Sequence, residues 1–186
     1  MSWLFWAGYA ALWVLVVLLA VAMVMMLREH ADLVLGSREG RSRLHGPPEG
    51  AAAPRLDGDE VRPADGPAPG PRIVLFMAVT CQPCRHRRPQ ISHFAADHAD
   101  TVQTLVACSG SADDVREFAV GLGPEVAVLE DSAGDMAASW RVFMTPFAVG
   151  VDGEGVVRGK VANPGYDTLM LLARLLTESP GTGPAT

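Results

Sequence analysis

Two cysteines two residues apart, Cys81-Gln82-Pro83-Cys84, separate an apolar run over 73–79 from a stretch of helical character over 85–98. That layout suits sulfur chemistry. A thiol at the first turn of a helix faces backbone N–H groups that have no partner and the positive end of the helix dipole, and both favour thiolate. A second thiol three positions later lies about one turn away, close enough for a small disulfide. Pro83 fits because a first-turn residue has no intrahelical N–H bond to lose. The same two cysteines are also half of a zinc site, but a four-ligand site needs a second pair at regular spacing. Only Cys108 and scattered histidines remain, so redox chemistry is the reading that the spacing favours.

The other residues capable of chemistry divide unevenly. Arg85 and His86 follow the pair closely, and a nearby cation lowers the pKa of an attacking thiol. Arg87 and Arg88 continue the run, whose side chains spread around a helix as a solvated face. Cys108 closes a predicted strand and reads as a small buried apolar residue, with a third redox thiol as its alternative. His93 and His98 stand five apart, which does not align them as an i, i+4 ligand pair. Trp140 reads as a core or rim aromatic. No metal site is assigned.

The elements that must hold the pair alternate between strand and helix. Strands are expected over 73–79, 102–107 and 126–129, and helices over 84–98, 112–120 and from 132 or 133 to about 141. Pro89 is expected to kink the first of these helices, and Ser111 to cap the second, with Asp113 and Asp114 in its first turn. Strands over 147–151 and 155–161 flank Asp152-Gly153, a hairpin signal, and a last helix spans 166–177. Strands separated by helices form parallel pairs with right-handed crossovers, and the hairpin adds antiparallel ones. The expected class is α/β.

The chain has 186 residues and a net charge of −6, and it is 49% hydrophobic, but Trp3 to Leu27 holds no charged side chain at all. That stretch exceeds the roughly 20 residues needed to cross a bilayer, with Trp3, Trp6 and Tyr9 suited to one headgroup region. It lacks the basic start of a secretory signal and is too long for its apolar segment. Residues 3–27 therefore read as a single-span anchor. Arg28, Arg38, Arg41 and Arg43 follow it and none precedes it, a positive-inside pattern that points the rest of the chain into the cytoplasm. Residues 28–71 read as a juxtamembrane segment and Pro/Gly-rich linker with a short strand near 54–61, residues 72–179 as the folded domain, and 180–186 as a flexible tail. The acidic balance and the lack of GxxxxGK[ST] and GxGxxG leave nucleic-acid and nucleotide binding without support.

Strand–CxxC–helix, Pro89 five residues after the second cysteine, and Thr145-Pro146-Phe147 ahead of a strand and hairpin together resemble the thioredoxin fold. With the span and linker, the chain is most similar to membrane-anchored TlpA-like thiol-disulfide oxidoreductases. Among these it looks closest to the MauD type, accessory proteins of methylamine dehydrogenase maturation. The points of similarity are the anchor followed by a short Arg-containing segment, Thr-Pro-Phe-Ala-Val-Gly-Val-Asp-Gly-Glu-Gly-Val-Val-Arg over 145–158 and Gly-Lys-Val-Ala-Asn over 159–163. The resemblance implies Cys81 as attacking thiol, Cys84 as buried resolving thiol, and Pro146 as a cis-proline whose neighbour Thr145 offers backbone to substrate. It further implies a protein disulfide substrate, a separate redox partner protein, no organic cofactor and an extracytoplasmic domain, against the charge pattern. Departures are Thr80 where thioredoxins carry Trp, Leu75 in place of a buried acid, and Arg87 where many TlpA-like proteins have Glu. The rival reading is a metal chaperone of the same fold holding copper through the CxxC thiolates; it lacks the expected histidine, since none follows His98.

Overall fold

Alternation of buried side chains along each strand builds a sheet with two apolar faces. The structure is a computed structural model, and it describes residues 2–36, 42, 44–56, 59–62 and 70–178. The chain divides into two units, one ending at Gly40 and the other beginning at Arg41.

The first unit is α1, Ser2–Gly36. Within it, Trp6–Met26 is long and apolar enough to cross a membrane. The second unit carries β1 (Asp59–Arg62), β2 (Arg72–Ala78), α2 (Gln82–His98), β3 (Gln103–Ser109), α3 (Ala112–Val120), β4 (Val126–Glu130), α4 (Asp135–Ser139), β5 (Phe147–Val151), β6 (Val157–Ala162) and α5 (Tyr166–Thr177). Its strands form one sheet in the order β1-β4-β3-β2-β5-β6. β4, β3 and β2 run parallel, while β1, β5 and β6 pair antiparallel with their neighbours. The fold is the mixed, helix-flanked thioredoxin architecture.

On β2, Ile73, Leu75 and Met77 face one layer, and Val74 and Phe76 face the other. The first layer is closed by α2, α3 and α5 through side chains at helical spacing, among them Ile91, Phe94 and Ala95 on α2 and Leu169, Leu172, Ala173 and Leu176 on α5. The second is closed by α4 with Trp140 and Val142, and by Ala53 and Leu56 from the segment 44–56.

That segment departs from the expected linker. Residues 44–56 form a strap along the β5–β6 hairpin: Gly50 N–H donates to the Val157 carbonyl at 2.8 Å, Val157 N–H to Ala51 at 2.9 Å, and Ala53 N–H to Gly155 at 2.8 Å. Trp140 Nε1 donates to the Arg55 carbonyl at 3.2 Å, and Ser42 Oγ accepts from Ala162 N–H at 2.9 Å. The folded unit thus starts near Arg41 rather than Arg72. Proline and glycine bar a regular ladder but not single backbone bonds to a neighbouring strand, which is why composition alone reads as linker. Among the described residues of the strand expected near 54–61, residues 54–56 are not strand, and strand runs over Asp59–Arg62. The tail 180–186 lies outside the described residues.

Smaller differences have local causes. α2 begins at Gln82 because Cys81 itself is the N-cap, and the helix continues through Pro89. β3 extends to Ser109, so Cys108 lies inside the strand. α4 is shorter than expected. Gly134 before it takes a left-handed φ of 76°, Asp131 reaches across to accept from Met136 and Ala137 N–H at 3.0 and 2.9 Å, and Arg141 (φ 54°) prevents continuation. β6 starts at Val157 because the turn holds Gly155 at φ 81°, with Asp152 accepting from Glu154 and Val156 N–H at 2.9 Å each.

Candidate active site

The site sits where β2 ends and α2 begins. Val79 and Thr80 turn the chain, and Cys81 takes an extended φ/ψ of −80°/110° at the N-cap. Its Sγ accepts from Cys84 N–H at 3.2 Å, and its carbonyl accepts from Arg85 N–H at 3.2 Å. A side-chain acceptor at the N-cap satisfies one of the orphan helix donors, the work usually done by Ser, Thr, Asp or Asn. Sulfur here stands in for that oxygen. Once reduced, the same N–H and the helix dipole stabilise a thiolate on Cys81 over a thiol.

Cys81 and Cys84 are joined as a disulfide with a Cα–Cα distance of 5.2 Å. The two sulfurs differ in access. Cys81 is half-buried, whereas Cys84 is wholly enclosed in the helix-side core that also holds Leu75, Met77 and Cys108. Among the described residues the one buried acid, Asp131, is engaged with Met136 and Ala137 N–H before α4, and Leu75 leaves Cys84 in an apolar setting.

Opposite the pair, the Thr145–Pro146 peptide is cis. The Thr145 carbonyl oxygen lies 3.7 Å from Cys81 Sγ. Sequence separation between the two is 64, and the sheet brings them together through the β2–β5 register, in which Phe76 faces Phe147. Pro146 is buried and Thr145 half-buried.

Arg85 is exposed, and its Nε donates to the Val79 carbonyl at 2.9 Å, which holds the guanidinium over the turn before Cys81. His86 is exposed on α2. Arg88 points away, donating to the Phe118 carbonyl at 3.3 Å and lying 4.9 Å over the Phe118 ring, so it fastens α2 to α3. A polar cleft of about 290 Å³ opens between those helices beside Thr80. His93 sits 3.6 Å from Asp97 and against Tyr166, while His98 stacks on Phe94 at 4.6 Å; both serve packing. Cys108 is fully buried, and burial pushes its thiol up to about 12, so it stays protonated at neutral pH. Asn163 entered the sequence reading only as the end of the string 159–163 and was given no role. Its backbone N–H donates to the Pro146 carbonyl at 2.8 Å, a link between β6 and the cis-proline turn that no local pattern signals.

Searches against family models and curated proteins matched nothing. Solved structures do match. An uncharacterized thioredoxin-like protein from Porphyromonas gingivalis shares 30% identity at TM-score 0.51, over 61% of this chain and 80% of that one. The chain belongs to the thioredoxin-like family. MTB dsbF, solved in mixed oxidized and reduced forms, shares 25% identity at TM-score 0.53, over 58% of this chain and 81% of its own. A putative thioredoxin from Neisseria meningitidis shares the fold at TM-score 0.54 and 17% identity, over 61% of this chain and 79% of that one. With its CxxC disulfide at a helix start in this fold, the chain is a thiol-disulfide oxidoreductase.

Proposed function

We propose that Cys81 is the attacking thiol of a membrane-tethered oxidoreductase that exchanges electrons with protein disulfides. The observation that carries this is the asymmetry of the two sulfurs: Cys81 is half-buried, capped by a backbone N–H and next to the Thr145 carbonyl, while Cys84 is enclosed behind it. In the reducing direction the Cys81 thiolate attacks one sulfur of a substrate disulfide. The substrate S–S bond breaks, a mixed disulfide forms, and the departing substrate thiolate takes a proton from water. The Cys84 thiol gives its proton to water and attacks Cys81 Sγ, releasing the second substrate thiolate. Two electrons pass to substrate, and Cys81–Cys84 is left as a disulfide for a donor dithiol to reduce. The reverse sequence inserts a disulfide. Thr145 and Pro146 offer the backbone against which an extended substrate segment aligns, and Arg85, with His86 beside it when protonated, adds positive charge that favours the Cys81 thiolate.

The apolar helix Trp6–Met26 supports a single-span anchor, and the resemblance to TlpA-like and MauD-type proteins supports an extracytoplasmic domain that matures a methylamine dehydrogenase-like partner. The copper-chaperone reading draws no support, because among the described residues no third His, Cys, Asp or Glu groups with the cysteines to hold an ion. The test is turnover of a protein disulfide by the full chain in detergent with dithiothreitol as donor. Cys81→Ser should abolish it, and Cys84→Ser should trap substrate as a mixed disulfide. Full activity of Cys81→Ser sinks the assignment. Reporters fused at each terminus decide the membrane side.

A further inference from the structure

The cis-proline turn is tied to the cysteine helix by a link that runs through Asn163. Arg87 lies on α2 three residues after Cys84, and its Nε donates to Asn163 Oδ1 at 3.2 Å. Asn163, just past β6 at a left-handed φ of 49°, donates its backbone N–H to the Pro146 carbonyl at 2.8 Å. Arg87 is itself steadied, since its second nitrogen donates to Gln90 Oε1 at 2.9 Å. Gly165 leaves room for it: a Cβ there would lie 3.1 Å from the Arg87 guanidinium and 3.2 Å from Gln90. Two hydrogen bonds in series thus connect the helix that begins at the cysteine pair to the Pro146 carbonyl, one residue after the Thr145 carbonyl that stands 3.7 Å from Cys81 Sγ. Both Arg87 and Asn163 are half-buried, where a charge-assisted bond holds its geometry better than on an open surface.

We propose that Arg87 and Asn163 are positioning residues that set the Thr145–Pro146 backbone against Cys81, and that they thereby select extended polypeptide disulfides over small ones. This rests on the oxidoreductase reading above. A polypeptide substrate must align with that backbone while its sulfur meets Cys81, so a displaced turn slows it. A small aromatic disulfide needs only access to Cys81 and is indifferent to the turn.

The experiment reduces the full chain with dithiothreitol, removes the excess, and measures the second-order rate constant, the single-turnover equivalent of kcat/KM, for two oxidants, a disulfide-bonded protein and 5,5′-dithiobis(2-nitrobenzoate), in wild type and variants. Arg87→Met keeps the stem and removes the donor. Asn163→Gly keeps the left-handed backbone and its N–H but removes the acceptor. Each should lower kcat/KM for the protein disulfide about tenfold, as loss of one charge-assisted bond in the aligned complex implies, and leave the small disulfide within about twofold. The double variant should fall no further than either single one, because both substitutions cut one chain of contacts. Asn163→Asp keeps an acceptor and should retain the wild-type preference. An equal fall on both substrates, an additive double variant, or no fall at all overturns the inference. If Arg87→Met fails to fold, the Asn163 pair carries the same test. Wild type that turns over neither substrate overturns the oxidoreductase reading and this inference with it, whereas wild type active on both with unaltered variants overturns only the inference.

Discussion

The two faces of the sheet are closed by different means. On one, α2, α3 and α5 lay apolar stripes over Ile73, Leu75 and Val106, and the contact is side chain against side chain. On the other, the five-residue α4 covers only part, and a strap of irregular chain completes the layer with backbone bonds to Val157 and Gly155, beside the Ser42 hydroxyl that accepts from Ala162 N–H. Side-chain stripes repeat with a period, and periods are visible in a sequence. A strap held by its peptide groups has no period, because every residue but proline offers the same N–H and C=O. The face bearing the cysteines is therefore the legible one.

The sharpest way to break this contrast is to remove the strap. A chain of residues 72–186 should melt at least about 10 °C below one of residues 41–186, because Trp140, Phe147 and Val157 lose cover, several backbone groups lose partners, and β4 loses its antiparallel neighbour β1. Thermal unfolding followed by circular dichroism measures the difference. Equal melting temperatures would mean that the strap contributes nothing to stability and that the sequence boundary at Arg72 was sound.

A second test addresses the helix-side layer. Cys108 is sealed in it, and burial raises its thiol from an unfolded value of 9.0 to about 12. The native state therefore holds that proton more tightly than the unfolded one. Stability from this group is complete below pH 9 and declines as pH rises from 9 through 12, on the order of 1 kcal/mol per pH unit. Urea melts of the oxidised chain at pH 8 and 10 should show the decline in wild type and a shallower one in Cys108→Ala. Iodoacetamide labelling of the reduced native chain at pH 8 should modify Cys81 and spare Cys108. Ready labelling of Cys108 would show that the layer is not closed.

The smallest effect belongs to the hairpin beside the strap. Burial raises the Asp152 carboxyl, but bonds from Val156 N–H, the Arg158 guanidinium and Glu154 N–H outweigh it and hold its pKa below 3.8. A depressed carboxylate adds stability above its unfolded pKa and loses it as pH falls through the folded one. Asp152→Asn should lower stability at pH 7 by less than about 1 kcal/mol, and by less still as pH falls towards 2, because Gly153, Glu154 and Arg158 leave the turn open to solvent. A loss that persists unchanged at pH 2 would assign the effect to the turn's shape instead of its charge.

Legibility varied with sequence distance as much as with face. α3 and α5 match their expected ranges because Ser111 and the acidic first turn mark one, and the i, i+3, i+7 apolar spacing of Leu169, Leu172 and Leu176 marks the other. Cys81, Cys84, Thr145 and Pro146 each stand in a recognisable local string, so the candidate site could be assembled from two of them. Arg87 and Asn163 meet across 76 residues, and no local string encodes that meeting. Asp131 was missed for a related reason. It caps α4 from four residues before the helix begins, over a glycine turn, outside the usual spacing of an N-cap.

The strap has one more effect, at the rims of the sheet. An outermost strand offers unpaired peptide groups to any passing chain, and proteins usually blunt that offer. Along the outer rim of β6, the N–H and C=O of Val157 and the N–H of Ala162 are taken by Ala51, Gly50 and Ser42, and Ala52 bridges Val156. The opposite rim is β1, four residues long, irregular between Glu60 and Arg62, and of the charged sequence Asp-Glu-Val-Arg. Neither rim invites a fifth wheel of polypeptide. On the function proposed above, an extended substrate segment would meet backbone at Thr145, beside Cys81, and the strap that completes the core also covers the β6 rim, where no sulfur stands.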